Sequence, residues 1–197
     1  MARASAVAAM AALTCAAALF GCAGLPSERG GDTAQAVSFP PVRATFQASG
    51  RLSLRRATQA LTATFRWRHR VTDDEIDLAS PLGQTVARLT GSSTGVSLRI
   101  ADGRESSAPD WATLTARSLE WALPVDGLVY WIQGAPRPGT PFESERSPDG
   151  APSLLRQDGW TIVYQGFTRD GAGDPRPSRL TLSYPDIEVR MVVDAWE

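Results

Sequence analysis

Apolar and polar residues alternate with a period of two along much of this chain. The clearest segment has Ala63, Phe65 and Trp67 on one side and Thr64 and Arg66 on the other. Such alternation indicates strands with one buried face. Further runs of this kind contain Phe46 to Leu54, Ile76 to Leu78, Val96 to Ile100, Trp160 to Tyr164, Leu180 to Tyr184 and Ile187 to Val193. Because turn-forming pairs separate runs about ten residues apart, the pattern predicts a curved antiparallel sheet or barrel.

The middle of the chain changes to a helical pattern. Pro109 and Asp110 are typical of a helix start, and Pro124 ends the apolar segment that follows. A second short helix is predicted through Leu128 and Ile132, ending at Gly134. We expect both helices to pack across the mouth or the concave face of the sheet. Residues 136–152 are interpreted as a proline-rich loop.

The amino terminus predicts export and lipidation. An apolar run follows Arg3 and ends at Phe20-Gly21-Cys22, so residues 1–21 are interpreted as a lipoprotein signal peptide and Cys22 as the lipid anchor. A membrane-spanning helix is disfavoured, because about 20 apolar residues are needed. An ordinary signal peptide that happens to contain cysteines is the alternative. Ala23, in place of an aspartate, favours the outer membrane over the inner one.

The remainder divides into two parts. Residues 22–43 are rich in glycine, proline, serine and alanine, and they show neither helix nor strand periodicity. We interpret them as a flexible tether. Residues 44–197 are long enough for one domain with a sizeable core.

Composition excludes most catalytic classes. All 20 basic residues are arginine, which excludes lysine chemistry, and His69 is the only histidine. After cleavage Cys22 is the only cysteine, so neither a disulfide nor a thiolate metal site can form within the chain. The slightly negative charge provides no basic field for nucleic acid. We therefore expect no enzyme activity, no metal and no cofactor; a lipid hydrolase of the cell envelope is the disfavoured enzymatic alternative. His69 itself is expected at the surface, and Asp73-Asp74-Glu75 in a solvated turn.

The aromatic residues suggest either a filled core or a cavity for an apolar ligand. Small barrels are filled by side chains, whereas slightly larger ones hold a ligand. The cavity candidates, chosen by strand parity and helix face, are Phe65, Trp67, Leu128, Trp131 and Ile132.

A tight turn is predicted at Pro81-Leu82-Gly83, between two strands. It presents Leu82 at its tip. An apolar side chain in that position is either tucked back into the core or exposed for a partner or a membrane. The chemistry of the turn alone does not decide between the two.

The chain resembles the outer-membrane lipoprotein receptor LolB family from about Phe46 to Trp196. The resemblance is carried by the order and spacing of several segments together with the cysteine after the signal peptide. These segments are Gly50-Arg51-Leu52, Phe65-Arg66-Trp67, Asp77 to Gly83, Leu123-Pro124-Val125, Leu128 to Gly134, Gln157 to Trp160, Val163-Tyr164 and Trp196.

The resemblance implies a fold and a function. The fold would be an unclosed antiparallel β-barrel, or half-barrel, with short helices as a lid over an apolar cavity. The function would be to receive lipoproteins from the soluble periplasmic carrier LolA and to insert them into the outer membrane without nucleotide. Leu82 would then protrude and engage outer-membrane lipid during release. A monomer anchored at the periplasmic face is expected. The alternatives are an anchored lipid-binding or sensing protein and a structural partner of an outer-membrane assembly machine.

Overall fold

The computed structural model describes residues 38–119 and 125–197. The predicted signal peptide, the anchor Cys22 and the tether up to residue 37 lie outside the described residues. Residues 36–197 form one compact unit. Among the residues described, no helix is long and apolar enough to cross a bilayer.

The predicted mainly β architecture is confirmed. Within these two described ranges, eleven strands form one sheet in which every neighbouring pair is antiparallel. The strands are β1 (Thr45–Arg56), β2 (Gln59–Arg70), β3 (Asp73–Ala79), β4 (Thr85–Ser92), β5 (Gly95–Ile100), β6 (Glu105–Ala108), β7 (Phe142–Arg146), β8 (Pro152–Gln157), β9 (Trp160–Arg169), β10 (Pro175–Tyr184) and β11 (Ile187–Trp196). Two short helices, α1 (Trp111–Leu119) and α2 (Val125–Trp131), lie between β6 and β7 in the chain.

The sheet is not closed. Its strand order is β6-β5-β4-β3-β2-β1-β11-β10-β9-β8-β7, so β6 and β7 form two separate edges. The first strand therefore lies in the middle of the sheet and pairs with the last. Within the range interpreted as a loop, residues 136–152, the structure instead contains β7.

The turns divide the sheet into two ends. The turn after β3 contains Leu82, and we call the end of the sheet on that side the Leu82 end. The antiparallel registers place the β1–β2, β5–β6, β8–β9 and β10–β11 turns at the same end. The β2–β3, β4–β5, β7–β8 and β9–β10 turns lie at the opposite end.

The core occupies the concave side of the sheet. The alternating residues predicted to face inward are buried there, including those of β2, β9, β10 and β11. Asp110 caps α1 by accepting a hydrogen bond from the Thr113 N–H at 2.7 Å. Gly91 lets α1 approach, because a Cβ at this position would lie 2.5 Å from Cζ2 of Trp111. Both helices contribute apolar residues to the core, as expected.

Candidate functional site

The turn from Ser80 to Gln84 presents Leu82 to solvent. The Ser80 N–H donates to the Gln84 carbonyl at 2.8 Å, and the Gly83 N–H donates to the Ser80 carbonyl at 2.8 Å. Gly83 has a φ of 84°, which an L side chain adopts only with strain. Pro81 and Gly83 are exposed, and the Leu82 side chain is 90% exposed. Of the two geometries open from the sequence, the structure has the exposed one.

The five cavity candidates meet in the interior. Phe65 and Trp67 face inward from β2, while Trp131 ends α2 and Ile132 follows it; all four are buried. Leu128 of α2 is half-buried and packs against the same cluster. The structure therefore brings these side chains into one apolar core, which both a filled interior and a ligand site require. Their contact with an acyl chain stays a prediction.

Polar partners hold α2 against the sheet. The Trp131 Nε1–H donates to Oε1 of Gln157 at 2.8 Å, and the Tyr164 hydroxyl donates to the Trp131 carbonyl at 3.0 Å. Burial raises the pKa of Tyr164, so this hydroxyl stays protonated and remains a donor. The buried polar atoms of the helix end are thus satisfied while the helix stays in place.

His69 is not at the surface, and Asp74 is not in a solvated turn. Both side chains are buried. Oδ1 of Asp74 accepts the Trp67 Nε1–H at 2.7 Å and lies 2.9 Å from Nδ1 of His69. The surface prediction was wrong because His69 has the same strand parity as Phe65 and Trp67, and that parity was the available signal.

A segment before β1 contacts the residues that follow α2. We call Phe39–Ala44 the strap. The Phe39 ring packs edge-on against that of Phe142, with centroids 5.6 Å apart, at the Leu82 end. The Arg43 N–H donates to Oε1 of Gln133 at 2.9 Å, and its guanidinium reaches Asp170 in the β9–β10 turn at 2.9 Å. The strap therefore runs from the Leu82 end to the opposite end before β1 begins.

Arg176 of β10 binds the strap through a side-chain hydrogen bond. It is almost fully buried; its Nε donates to Oδ2 of Asp170 at 2.9 Å and its Nη1 to the Pro41 carbonyl at 2.7 Å. Sequence reasoning missed this buried ionic cluster. The only signals were a glutamine, Gln133, inside an apolar segment and an arginine between two prolines, Pro175 and Pro177.

No metal centre is formed by the part of the chain that the structure describes. In residues 38–119 and 125–197, no group of three or more His, Cys, Asp or Glu side chains is placed to hold a metal ion.

Comparison with known proteins places the chain among envelope lipoproteins. The family model "Outer membrane lipoprotein LolB" matches residues 44–196. An outer-membrane lipoprotein LolB of Thiobacillus denitrificans is 37% identical over 80% of this chain and 82% of its own. A protein of the same name from Chromobacterium violaceum is 39% identical over 78% of this chain and 81% of its own.

One solved structure supports the fold alone. The crystal structure of a DUF1329 family protein from Desulfovibrio piger aligns with a TM-score of 0.50 and 7% identity, over 78% of this chain and 85% of that chain.

The fold defines a class: one unclosed antiparallel sheet, curved around an apolar core, with short helices inserted between its two edge strands. Within that class, the matches over most of the domain are specific. The chain belongs to the LolB family of outer-membrane lipoproteins. It is accordingly a lipoprotein-localisation protein of the outer membrane.

Proposed function

We propose that this protein receives lipoproteins from a soluble periplasmic carrier of the LolA type and inserts them into the outer membrane without nucleotide hydrolysis. The observation that carries the proposal is the exposure of Leu82 in a member of this family. An exposed leucine on a tight turn gains about 1.5–3 kcal/mol when it enters an apolar phase. The turn is therefore suited to enter lipid.

The acyl chains of the cargo would be sheltered beneath α2. Free acyl chains are costly in water, so transfer between apolar interiors of rising affinity needs no external energy source. Because Trp131 and Ile132 are fully buried against the sheet, a chain can enter only if α2 moves outward. The half-buried Leu128 lies on the same helix and would contact the chain early.

The lipid anchor would keep this acceptor at its target membrane. Cys22, as the lipidated residue, would remain fixed while the domain reaches a carrier that diffuses freely. Two or three acyl chains hold a protein on a bilayer almost permanently, since each buried methylene contributes about 0.8 kcal/mol. An anchored acceptor paired with a soluble donor gives the transfer its direction in space.

The first test is cargo transfer with a Leu82→Glu variant. A carrier loaded with an acylated lipoprotein is mixed with the anchored protein on liposomes, and cargo is followed first to the protein and then to lipid. We expect Leu82→Glu to accept cargo normally and to release it into lipid about tenfold more slowly or worse, because the leucine no longer enters the bilayer.

Val71→Glu is the matched control. Val71 is an exposed apolar residue of the β2–β3 turn at the opposite end, 68% exposed. This variant should insert cargo at the normal rate. Failure of the unmodified protein to take cargo from the carrier would contradict the proposal and would favour the lipid-sensing or structural-partner function. If both variants released cargo into lipid equally slowly, the result would contradict a specific role of Leu82.

A further inference from the structure

A groove of about 550 Å³ opens between α1 and the concave side of β5 and β6. Its size is in the range of small-molecule sites, roughly 300–1,000 Å³. Its lining has three parts: an apolar floor, a serine wall and two arginines. These are Leu98, Ile100 and Leu114; Ser106, Ser107 and Ser118; and Arg104 and Arg117.

The groove opens at the Leu82 end. Arg104 belongs to the β5–β6 turn, and Ala101 in the same turn donates its N–H to the Val86 carbonyl at 3.0 Å, next to the start of β4. Trp111, at the start of α1, is packed against Gly91 towards the opposite end. α1 therefore runs from the opposite end towards the Leu82 end, and Arg117 lies in its last turn.

The two arginines supply the charge of the groove. Oδ2 of Asp102 accepts the Arg104 Nε–H at 2.6 Å and fixes the base of that guanidinium, leaving it largely exposed. Arg117 is also exposed and adds a second positive charge. Guanidinium groups bind phosphate through paired N–H donors, so two of them beside an apolar floor fit an amphiphile with a phosphate head.

We propose that this groove binds one glycerophospholipid of the membrane. Its phosphate would lie between Arg104 and Arg117, and one acyl chain would lie on the half-buried side chains of Leu98 and Ile100. The phosphate distinguishes this ligand from the cargo, because the diacylglyceryl group on a lipoprotein cysteine carries none. The inference rests on the proposed function for one point only, namely that the Leu82 end faces the bilayer. Bound lipid would then fix the orientation of the domain while Leu82 is inserted.

The test compares vesicles with and without phosphate. The mature chain carrying Cys22→Ala is incubated with vesicles of phosphatidylethanolamine and phosphatidylglycerol, or with vesicles of an uncharged galactosyl diacylglycerol, and the bound fraction is measured by flotation. We expect the double variant Arg104→Gln/Arg117→Gln to bind phospholipid vesicles about tenfold more weakly or worse, since each arginine near the surface contributes roughly 1 kcal/mol. Its binding to the glycolipid vesicles should be unchanged.

The control removes the same charge from the convex face. Arg88 and Arg99 lie on β4 and β5 and pair with Asp77 and Glu105 across neighbouring strands. Arg88→Gln/Arg99→Gln should bind both kinds of vesicle like the unmodified chain. If both double variants lost phospholipid binding to the same extent, a general charge effect would explain the loss. That result would contradict a phospholipid site in the groove. Normal binding by Arg104→Gln/Arg117→Gln would overturn it as well.

A soluble ligand separates this proposal from the proposed function. Dihexanoylphosphatidylglycerol is titrated into the unmodified chain and followed by NMR, with inorganic phosphate as the second probe. We expect saturable shifts at Ser106 and Ser107 with the lipid alone. Equal binding of inorganic phosphate, or no shifts with either probe, would overturn a phospholipid site. The two proposals can fail separately. If Leu82→Glu binds both kinds of vesicle normally but the soluble lipid still shifts Ser106 and Ser107, the membrane role of Leu82 is contradicted and the phospholipid site is supported.

Discussion

Asp74 is a buried acidic side chain on the inner face of the sheet. Its Oδ1 receives the Trp67 indole N–H and faces Nδ1 of His69, all in buried surroundings. A buried donor that loses its acceptor costs the full penalty of its desolvation. The carboxylate therefore keeps the large Trp67 ring in a single orientation inside the core.

Replacing Asp74 by alanine should lower the free energy of unfolding by about 1–3 kcal/mol, because the indole N–H is left without an acceptor. Urea unfolding followed by tryptophan fluorescence measures this difference. The neighbouring Asp73 is exposed, and Asp73→Ala should change stability by no more than about 0.5 kcal/mol. Equal effects of the two substitutions would show that the bond to Trp67 contributes little.

Residue positions were predictable from sequence where strand parity or a helix face determines them. Parity correctly predicted the inward direction of Phe65 and Trp67, and the same rule applied to His69 would have placed it inside. The exposure of Leu82 could not be derived in this way, because a turn residue has no parity. Its direction depends on the hydrogen bonds of Ser80 and on the positive φ of Gly83.

At the scale of elements, the strap connects three parts that are distant in sequence. It contacts the residues after α2 through Gln133, the β9–β10 turn through Asp170, and β10 through Arg176. Burial alone would raise the pKa of Asp170. The hydrogen bond from Arg176, those from the Ala172 and Asp174 N–H groups, and the charge of Arg43 instead hold the pKa below its ordinary value.

This lowered pKa gives the strap a dependence on pH. A carboxyl with a lowered pKa in the folded state stabilises the fold above its unfolded pKa of about 3.9, and the contribution is lost as pH falls through the folded value. Asp170→Asn should therefore cost about 3 kcal/mol at pH 7, because the buried Arg176 loses its nearer carboxylate at 2.9 Å and keeps only Asp174 at 3.7 Å. The gap to the unmodified chain should narrow below about pH 4.

Urea unfolding at a series of pH values between neutrality and about pH 3 measures this gap. The control is Asp186→Asn, which removes an exposed partner of Arg56 and should cost at most about 1 kcal/mol. A difference between Asp170→Asn and the unmodified chain that does not change with pH would contradict the ionic account of the strap.

The alternating runs read from the sequence do not include both edge strands, β6 and β7, or the inner strands β4 and β8. β7 contains Phe142-Glu143-Ser144-Glu145-Arg146, and β6 contains only Glu105-Ser106-Ser107-Ala108. An edge strand pairs on one side and buries little, so the apolar alternation that identifies a central strand is absent. The strands predicted from that alternation, namely β1, β2, β3, β5, β9, β10 and β11, all pair on both sides.

At the scale of the whole molecule, the alternation of apolar and polar residues could not predict that the sheet is open. A period of two predicts strands and a buried face, and it is the same for a closed barrel and an open sheet. The open form was expected from the family resemblance. In the structure it follows from β6 and β7, which do not pair with each other.

The strands β1 and β11 meet in the middle of the sheet, which leads to a prediction about the last residues of β11. Gln47 and Glu197 exchange main-chain hydrogen bonds of 2.8 and 2.9 Å, and the Trp196 indole donates to the Pro177 carbonyl at 3.0 Å. Deleting Trp196 and Glu197 should lower the free energy of unfolding by about 3–5 kcal/mol, because a large buried ring is lost.

Thermal and urea unfolding of the truncated chain measure this loss. A chain extended beyond Glu197 by a short glycine-serine segment is the control. It keeps every contact of Trp196 and should unfold like the unmodified protein. If the truncated chain were as stable as the extended one, β1 would not depend on the last residues of β11.

The central position of β1 also has a consequence for biosynthesis. A chain synthesised from its amino terminus makes β1 available early, yet one neighbour of β1, β11, is the last strand to be made. Until then β1 presents unpaired main-chain groups along its whole length, and the apolar side chains of its inner face lack their cover. Pairing of β1 with β11 is slow, because contacts between residues so far apart in sequence require the whole intervening segment to be ordered. A nascent chain that stops before Ile187 would thus carry an open strand that is prone to pair with other chains and to aggregate.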